Sequence, residues 1–267
     1  MCKPTILVTN DDGIHSPGLK AAAEAVQPMG KLIIAAPRRQ QTGMGRSLTG
    51  NRDARLEPVD YQVNGYSITA FHCECSPALV VRHSLKTIFA DNMPDLLISG
   101  INYGENLGFN ITCSGTVGAA LEAASFGIPA IAISKQTEIE SHYSHNLQDW
   151  SAASSFLAHF SRLMLTKRMP QDVDVLKIDI PMDATPNTPW KLTKLARVPY
   201  FSRVLDAPTA DTKIGDGRTE IRIDPDKLEK DTDIHTVAVD NLVSITPLST
   251  DISSRVRFSE LLAVLDS

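Results

Sequence analysis

Five short apolar runs, each stopped by small polar residues or proline, set the rhythm of the first two thirds of the chain: Thr5–Val8, Lys31–Ala36, Asp95–Ser99, Pro129–Ile133 and Val173–Ile180. Each has the length and boundaries of a buried strand. Between them the apolar residues recur at helical spacing. Gly18–Met29 turns Leu19, Ala22, Ala23 and Val26 to one side, and Ser76-Pro77 opens a helix with Leu79, Val80, His83 and Ile88 inward. Gly115–Phe126 carries Val117, Ala120, Leu121 and Ala124 inside, with Gly127 at its C-terminal stop, and residues 147–167 form a long amphipathic helix. Strands alternating with helices predict an α/β protein with a doubly wound, Rossmann-like, mostly parallel sheet. Residues 54–71 alternate loosely about Asn64-Gly65, which predicts an antiparallel hairpin inserted beside that sheet. Beyond Pro181 the chain is richer in Thr, Asp and Pro, with short alternating runs at Thr219–Ile223 and Leu242–Ile245 and a last helix from Phe258. The expected organisation is a catalytic core over 1–182 and a β-rich C-terminal extension over 183–267 ending in a helix. Extensions of this kind often pack against a second subunit.

Composition narrows the class without choosing a chemistry. At 267 residues with 42% hydrophobic and 21% charged positions, the chain can bury a real core. Its formal charge of −5 argues against a basic face for a nucleic acid polymer. It leaves a nucleotide ligand open, because a bound metal can supply positive charge locally. Cys2, Cys73, Cys75 and Cys113 form no Cys-x-x-Cys pair and read as reduced packing cysteines. With no signal-peptide pattern and no apolar stretch near the ~18 residues of a membrane span, the expectation is a cytoplasmic protein that does not enter a membrane.

The chemistry gathers where the strands end. Thr5–Val8 runs directly into Asn10-Asp11-Asp12-Gly13, and adjacent aspartates at a strand end repel unless a cation sits between them. Polar clusters follow the second strand (Thr42 to Thr49) and the third (Asn102 to Thr116), and the carboxyl edge of a parallel sheet brings such turns together. The ligands on offer are Asp11, Asp12, the hydroxyls of Thr42, Ser47 and Thr49, and the amide oxygens of Asn102, Asn106 and Asn110. An oxygen-only set selects Mg²⁺, Mn²⁺ or Ca²⁺ over zinc. Ser114-Gly115-Thr116 precedes a helix, so free amides and two hydroxyls there suit a phosphate. Blander readings stand beside these: Ser114 as an ordinary N-cap, His15 as a solvent-facing turn residue, Tyr103 packed on its own scaffold rather than stacked on a base.

Thr9-Asn-Asp-Asp-Gly13 with Ser16 and Gly18, Ala36-Pro37 followed by Gly45-Arg-Ser47-x-Thr49, Ser99-Gly-Ile-Asn102-x-Gly104-x-Asn106-x-Gly108, and Ser114-Gly-Thr-Val-x-Ala-Ala120 together resemble the SurE survival-protein family. The resemblance is dense over residues 4–134 and returns at Asp231-Thr-Asp233 and Val243–Leu248. It implies a metal-dependent phosphatase acting on nucleoside 5′- and 3′-monophosphates, with short polyphosphate as a further substrate of some members. It implies one divalent ion per subunit, Mg²⁺ or Mn²⁺, held by Asp11, Asp12, Thr42 and Asn102. Asp11, Asp12 and Asn106 would then act in catalysis, with Asn106, Ser114, Gly115 and Thr116 on the phosphate. A homodimer or homotetramer is implied as well. Thr42 stands where the family usually has serine and Cys113 where it commonly has tyrosine. The Asp-x-Asp-x-Thr pattern of haloacid-dehalogenase-like phosphatases is absent. A phosphate or nucleotide sensor without turnover, and an assembly role for the extension, are the competing classes. Paired carboxylates beside a phosphate turn argue against the first, and survival of function without Asp11 would be needed for the second.

Overall fold

β1 (Thr5–Thr9) and α1 (Pro17–Val26) open the computed structural model, which describes residues 3–266 and so leaves Cys2 outside the described residues. Pro17 occupies the first helical position, where its missing amide costs nothing. β2 (Lys31–Pro37) returns parallel to β1 with Val8 opposite Ile34. The next stretch is more finely divided than one hairpin: β3 (Glu57–Val59), β4 (Gln62–Val63), β5 (Tyr66–Ser67) and β6 (Thr69–Cys73). Asn64 and Gly65, at φ 50° and 80°, make the tight turn between β4 and β5. β6 instead runs parallel to β2 and antiparallel to β3, so that this insertion lengthens the main sheet at one edge.

α2 (Pro77–Thr87) lies in a different phase from the predicted one. Val80, Val81, Ser84 and Leu85 are buried, and His83 is exposed. Three consecutive apolar residues at 79–81 permit two helical phases, and the buried one is affordable because Ser84 donates its hydroxyl to the Val80 carbonyl at 2.8 Å. β7 (Leu96–Tyr103), α3 (Gly115–Ala124), β8 (Ala130–Lys135), α4 (Ser151–Thr166) and β9 (Val175–Ile180) complete the predicted alternation. Ile6 and Val8 face one layer with α1 and α4, while Leu7 faces the other with α2 and α3, the period-two alternation of a sheet covered on both sides.

After residue 182 come β10 (Trp190–Leu192), β11 (Phe201–Val204), β12 (Arg218–Ile221), α5 (Asp233–Ala238), β13 (Val243–Leu248) and α6 (Phe258–Leu265). The sheet does not end at the expected boundary. Its order is β10-β13-β9-β8-β7-β1-β2-β6-β3, with β13 antiparallel to β9. The alternation Val-Ser-Ile-Thr in β13 reads as a half-solvated strand, yet Ser244 and Thr246 are buried and both hydroxyls lie 2.8 Å from that of Thr193. β11 and β12 form a separate hairpin, and α6 has no buried side chain. Among the described residues, no helix is long and apolar enough to cross a membrane.

This order makes β1 the topological switch: the chain winds from β1 to β2 on one side and later returns to place β7 on the other. The crevice beyond the carboxyl ends of β1 and β7 is therefore where a ligand of this fold binds.

Candidate active site

At the end of β1 the acidic turn is locked by its own asparagine. Asn10 donates to the Gly13 carbonyl at 3.1 Å and accepts from the Gly13 amide at 3.2 Å. Gly13 has φ 99°, and a Cβ there would lie 3.1 Å from the Arg39 backbone, so glycine is required. The result is two consecutive buried aspartates, Asp11 and Asp12, 5% and 4% exposed.

The two are held differently. Asp11 accepts from the Thr116 hydroxyl at 2.5 Å, and Gly115 at the start of α3 packs directly against it. Asp12 accepts from the Tyr103 amide at 3.1 Å and the Gln40 side chain at 3.3 Å, and Gln40 also donates to the His142 carbonyl. Burial pushes Asp11 up, and burial together with the charge of Asp11 pushes Asp12 well above the ordinary carboxylate value. Neither forms an ion pair with a lysine, arginine or histidine among the described residues.

A cavity of about 200 Å³ opens over this turn, lined by Asp11, Asp12, Thr42, Asn102, Asn106 and Ser114 among others. Thr42 arrives on the loop after β2, which lies directly on α3: a Cβ at Gly118 would fall 2.1 Å from the Gly45 carbonyl oxygen. Fully buried Glu122 of α3 fastens the same loop, accepting from Arg46 at 2.8 Å and from Arg82 of α2 at 2.5 Å. Asn102 spends its amide nitrogen on the Gly104 carbonyl at 2.7 Å, which leaves its oxygen for a cation. Two carboxylates, a hydroxyl and an amide oxygen thus share one crevice, and the uncompensated charge of the carboxylates is what a hard divalent cation would neutralise. The donor set fits such an ion.

The phosphate turn differs from its expected form. Ser114 lines the cavity as the N-cap of α3, accepting from the Val117 amide at 3.1 Å with its own proton still to give. Thr116 is fully buried and its hydroxyl donates to Asp11, so that hydroxyl supports the carboxylate. Gly115 packs against Asp11 so closely that a Cβ would sit 2.7 Å from the aspartate Cβ. The reason is positional: β1 and α3 are close enough for the helix N-terminus to meet the aspartate first.

Other candidates separate in the same way. Asn110 accepts from the Tyr200 and Phe201 amides at 2.7 and 2.9 Å and so clamps the start of β11. Ser47 and Thr49 pair with each other at 3.0 Å outside the cavity. His15 is exposed. The Tyr103 ring is 3% exposed, stacked on His145 and edge-on to Trp150. Glu105, His142 and Phe201, which line the cavity, and Gln40, which holds Asp12, are not singled out by the motifs. Gln40 follows a strand and could have been suspected on that ground. Phe201 has no local signal, since it reaches the cavity from a segment some hundred residues away in sequence.

Glu105 carries a testable pH signature. Burial pushes its carboxyl from 4.5 up to about 7, and its Oε2 is buried without a hydrogen-bond partner. The unfolded chain ionises first, so this group costs stability progressively as pH rises from 4.5 to about 7, by up to about 3 kcal/mol. Glu105→Gln is expected to flatten the melting temperature across that window and to raise it at pH 8. Equal slopes for the two proteins would show that Glu105 ionises as an ordinary glutamate.

The family model described as "Survival protein SurE" matches residues 6–202. The 5′-nucleotidase SurE of Methanosarcina acetivorans is 40% identical over 97% of this chain and 96% of its own length. That of Thermococcus kodakarensis is 37% identical over 97% and 98%. The crystal structure of the SurE protein from Aquifex aeolicus superposes with a TM-score of 0.73 at 27% identity, covering 99% of this chain and 100% of that one.

Proposed function

The chain belongs to the SurE family, and on that premise we propose that it is a divalent-metal-dependent phosphatase that hydrolyses nucleoside 5′- and 3′-monophosphates to nucleoside and phosphate, with short polyphosphate as a second substrate. The observation that carries the reading is the pair of buried, adjacent carboxylates without a protein cation, at the switch crevice and beside the N-cap of α3. A pure anion binder has no use for two carboxylates next to its ligand. The names of the relatives support the nucleotide as substrate.

Asp11, Asp12, Thr42 and Asn102 would hold one ion, Mg²⁺ or Mn²⁺. When bound it supplies positive charge to a phosphoryl oxygen. The Thr116 hydroxyl keeps the Asp11 carboxylate in a single orientation, as Tyr103 and Gln40 do for Asp12. Ser114 donates its hydroxyl, and Asn106 presents its side-chain amide, to phosphate oxygens where negative charge grows in the transition state. A water attacks phosphorus opposite the ester oxygen, one aspartate orients it and takes its proton, and the ester P–O bond breaks to leave the nucleoside alkoxide, which is then protonated. The exposed apolar residues of α6, Phe258, Leu262 and Leu265, support a homodimer or homotetramer formed through the C-terminal segment. A cytoplasmic location is part of the same proposal.

Phosphate release from a panel of nucleoside 5′- and 3′-monophosphates, with Mn²⁺, with Mg²⁺ and after EDTA, tests the reading. Release from several of them that stops with EDTA is expected. No release with either metal, from protein shown to be folded, would overturn it in favour of a non-hydrolysing sensor.

A further inference from the structure

Beneath the cavity lies a buried ionic cluster that the hydrolysis does not use. Lys177 of β9 pairs with Asp179 on the same strand and, at 3.2 Å, with Asp233 at the start of α5. The three side chains are 1%, 0% and 0% exposed. Such a cluster is costly to desolvate, and its free hydrogen-bonding capacity goes to specific partners. Those partners are the backbone of the Gly104–Gly108 loop. The Asn106 amide donates to Asp179 at 2.8 Å, and the Asn106 carbonyl accepts from Lys177 at 2.8 Å. The Gly108 amide donates to Asp233 at 3.0 Å. The other oxygen of Asp233 accepts from the Ala196 and Ile234 amides, both at 2.9 Å. Both backbone polar groups of Asn106 are thus satisfied by charged side chains rather than by a sheet or helix. Its side-chain nitrogen is held in turn by the Ser134 hydroxyl at 2.7 Å.

We infer that Lys177, Asp179 and Asp233 are positioning residues that hold Asn106 in its productive place, coupling the C-terminal α5 to phosphate hydrolysis more than a hundred residues away in sequence. The effect on rate rests on the proposed phosphatase reading; the effect on loop geometry does not. The charge count selects the test. One lysine faces two carboxylates, so Asp233→Asn or Asp179→Asn leaves a balanced one-to-one pair and a side chain of the same shape. An asparagine at either place cannot accept from every donor the aspartate served, because one of its two ends is itself a donor.

The experiment compares Asp233→Asn and Asp179→Asn in two backgrounds, wild type and Asn106→Ala, with AMP and Mn²⁺ as probes, alongside amide exchange measured by mass spectrometry. In the wild-type background kcat is expected to fall about 10-fold, the usual scale for an outer supporting partner, with half-saturation by Mn²⁺ unchanged. In the Asn106→Ala background the same substitutions are expected to cost less than about twofold, since contacts acting through one residue are not additive. Exchange should quicken in residues 104–110 and stay unchanged in β1 and β2. Full kcat in a folded variant, an equal loss in both backgrounds, or unchanged exchange at 104–110 would overturn the inference, as would failure of both variants to fold. Inactive wild type would sink the phosphatase reading alone, with the exchange result still deciding whether the cluster holds the loop.

Discussion

Asp11→Asn lowers metal-dependent phosphate release by at least about 10²-fold, the scale of one lost transition-state contact, and leaves the melting temperature equal or higher. The two halves of that expectation come from one arrangement. Asp11 and Asp12 are adjacent and desolvated, and the charge of Asp11 helps to push the Asp12 carboxyl well above its ordinary value. Removing one charge relieves the repulsion. The amide oxygen of asparagine can still accept from the Thr116 hydroxyl, so the turn keeps its shape. What disappears is half of the anionic charge that would hold a divalent ion. Melting curves with and without Mn²⁺ give a readout independent of turnover. The wild type should be stabilised by the ion as any protein is by a ligand of its folded form, and the variant should not. A variant with full turnover and a full Mn²⁺ shift would remove Asp11 from the site.

Lys177→Met should destabilise the fold by about 3–5 kcal/mol, the cost of stripping one partner from a buried ionic pair. Burial pulls the Lys177 ammonium down, but the charges of Asp179 and Asp233 push it above its ordinary value. A lysine shifted upward contributes stability that is fully present below 10.5 and lost only as pH rises past it, so the deficit should be full at neutral pH. Methionine fills much the same volume, which makes the loss electrostatic: two buried carboxylates remain with no counter-charge. Chemical denaturation at pH 7 measures it. A deficit under about 1 kcal/mol would mean that water reaches the cluster and solvates it.

Much of this protein can be read along the chain. The five apolar strands, the helices between them and the Asn64-Gly65 turn follow from local periodicity and turn chemistry, which need no knowledge of distant contacts. The gathering of polar strand ends at one edge is legible too, because in a doubly wound sheet they converge by topology. The choice of Asp11, Asp12, Thr42, Asn102 and Asn106 among them comes from the family resemblance. Thr116 shows the limit of that reasoning. Its position just inside a helix is legible, but whether its hydroxyl meets a ligand or a neighbouring aspartate depends on how closely β1 approaches α3. α2 shows a second limit, since three adjacent apolar residues fit two phases and only packing chooses.

By itself, then, the sequence determined the winding of the core, the edge of the sheet where its strands end and the set of oxygen donors gathered there. The tertiary structure alone decided which donors face the cavity, which hold the others in place, and that β13 completes the core sheet rather than standing apart from it. Periodicity reports the burial of apolar surface, which is a property of each segment. The partner of a buried polar group is set by distance across the fold, and Asp233 finds Gly108 and Lys177 only once β9 and α5 have packed together.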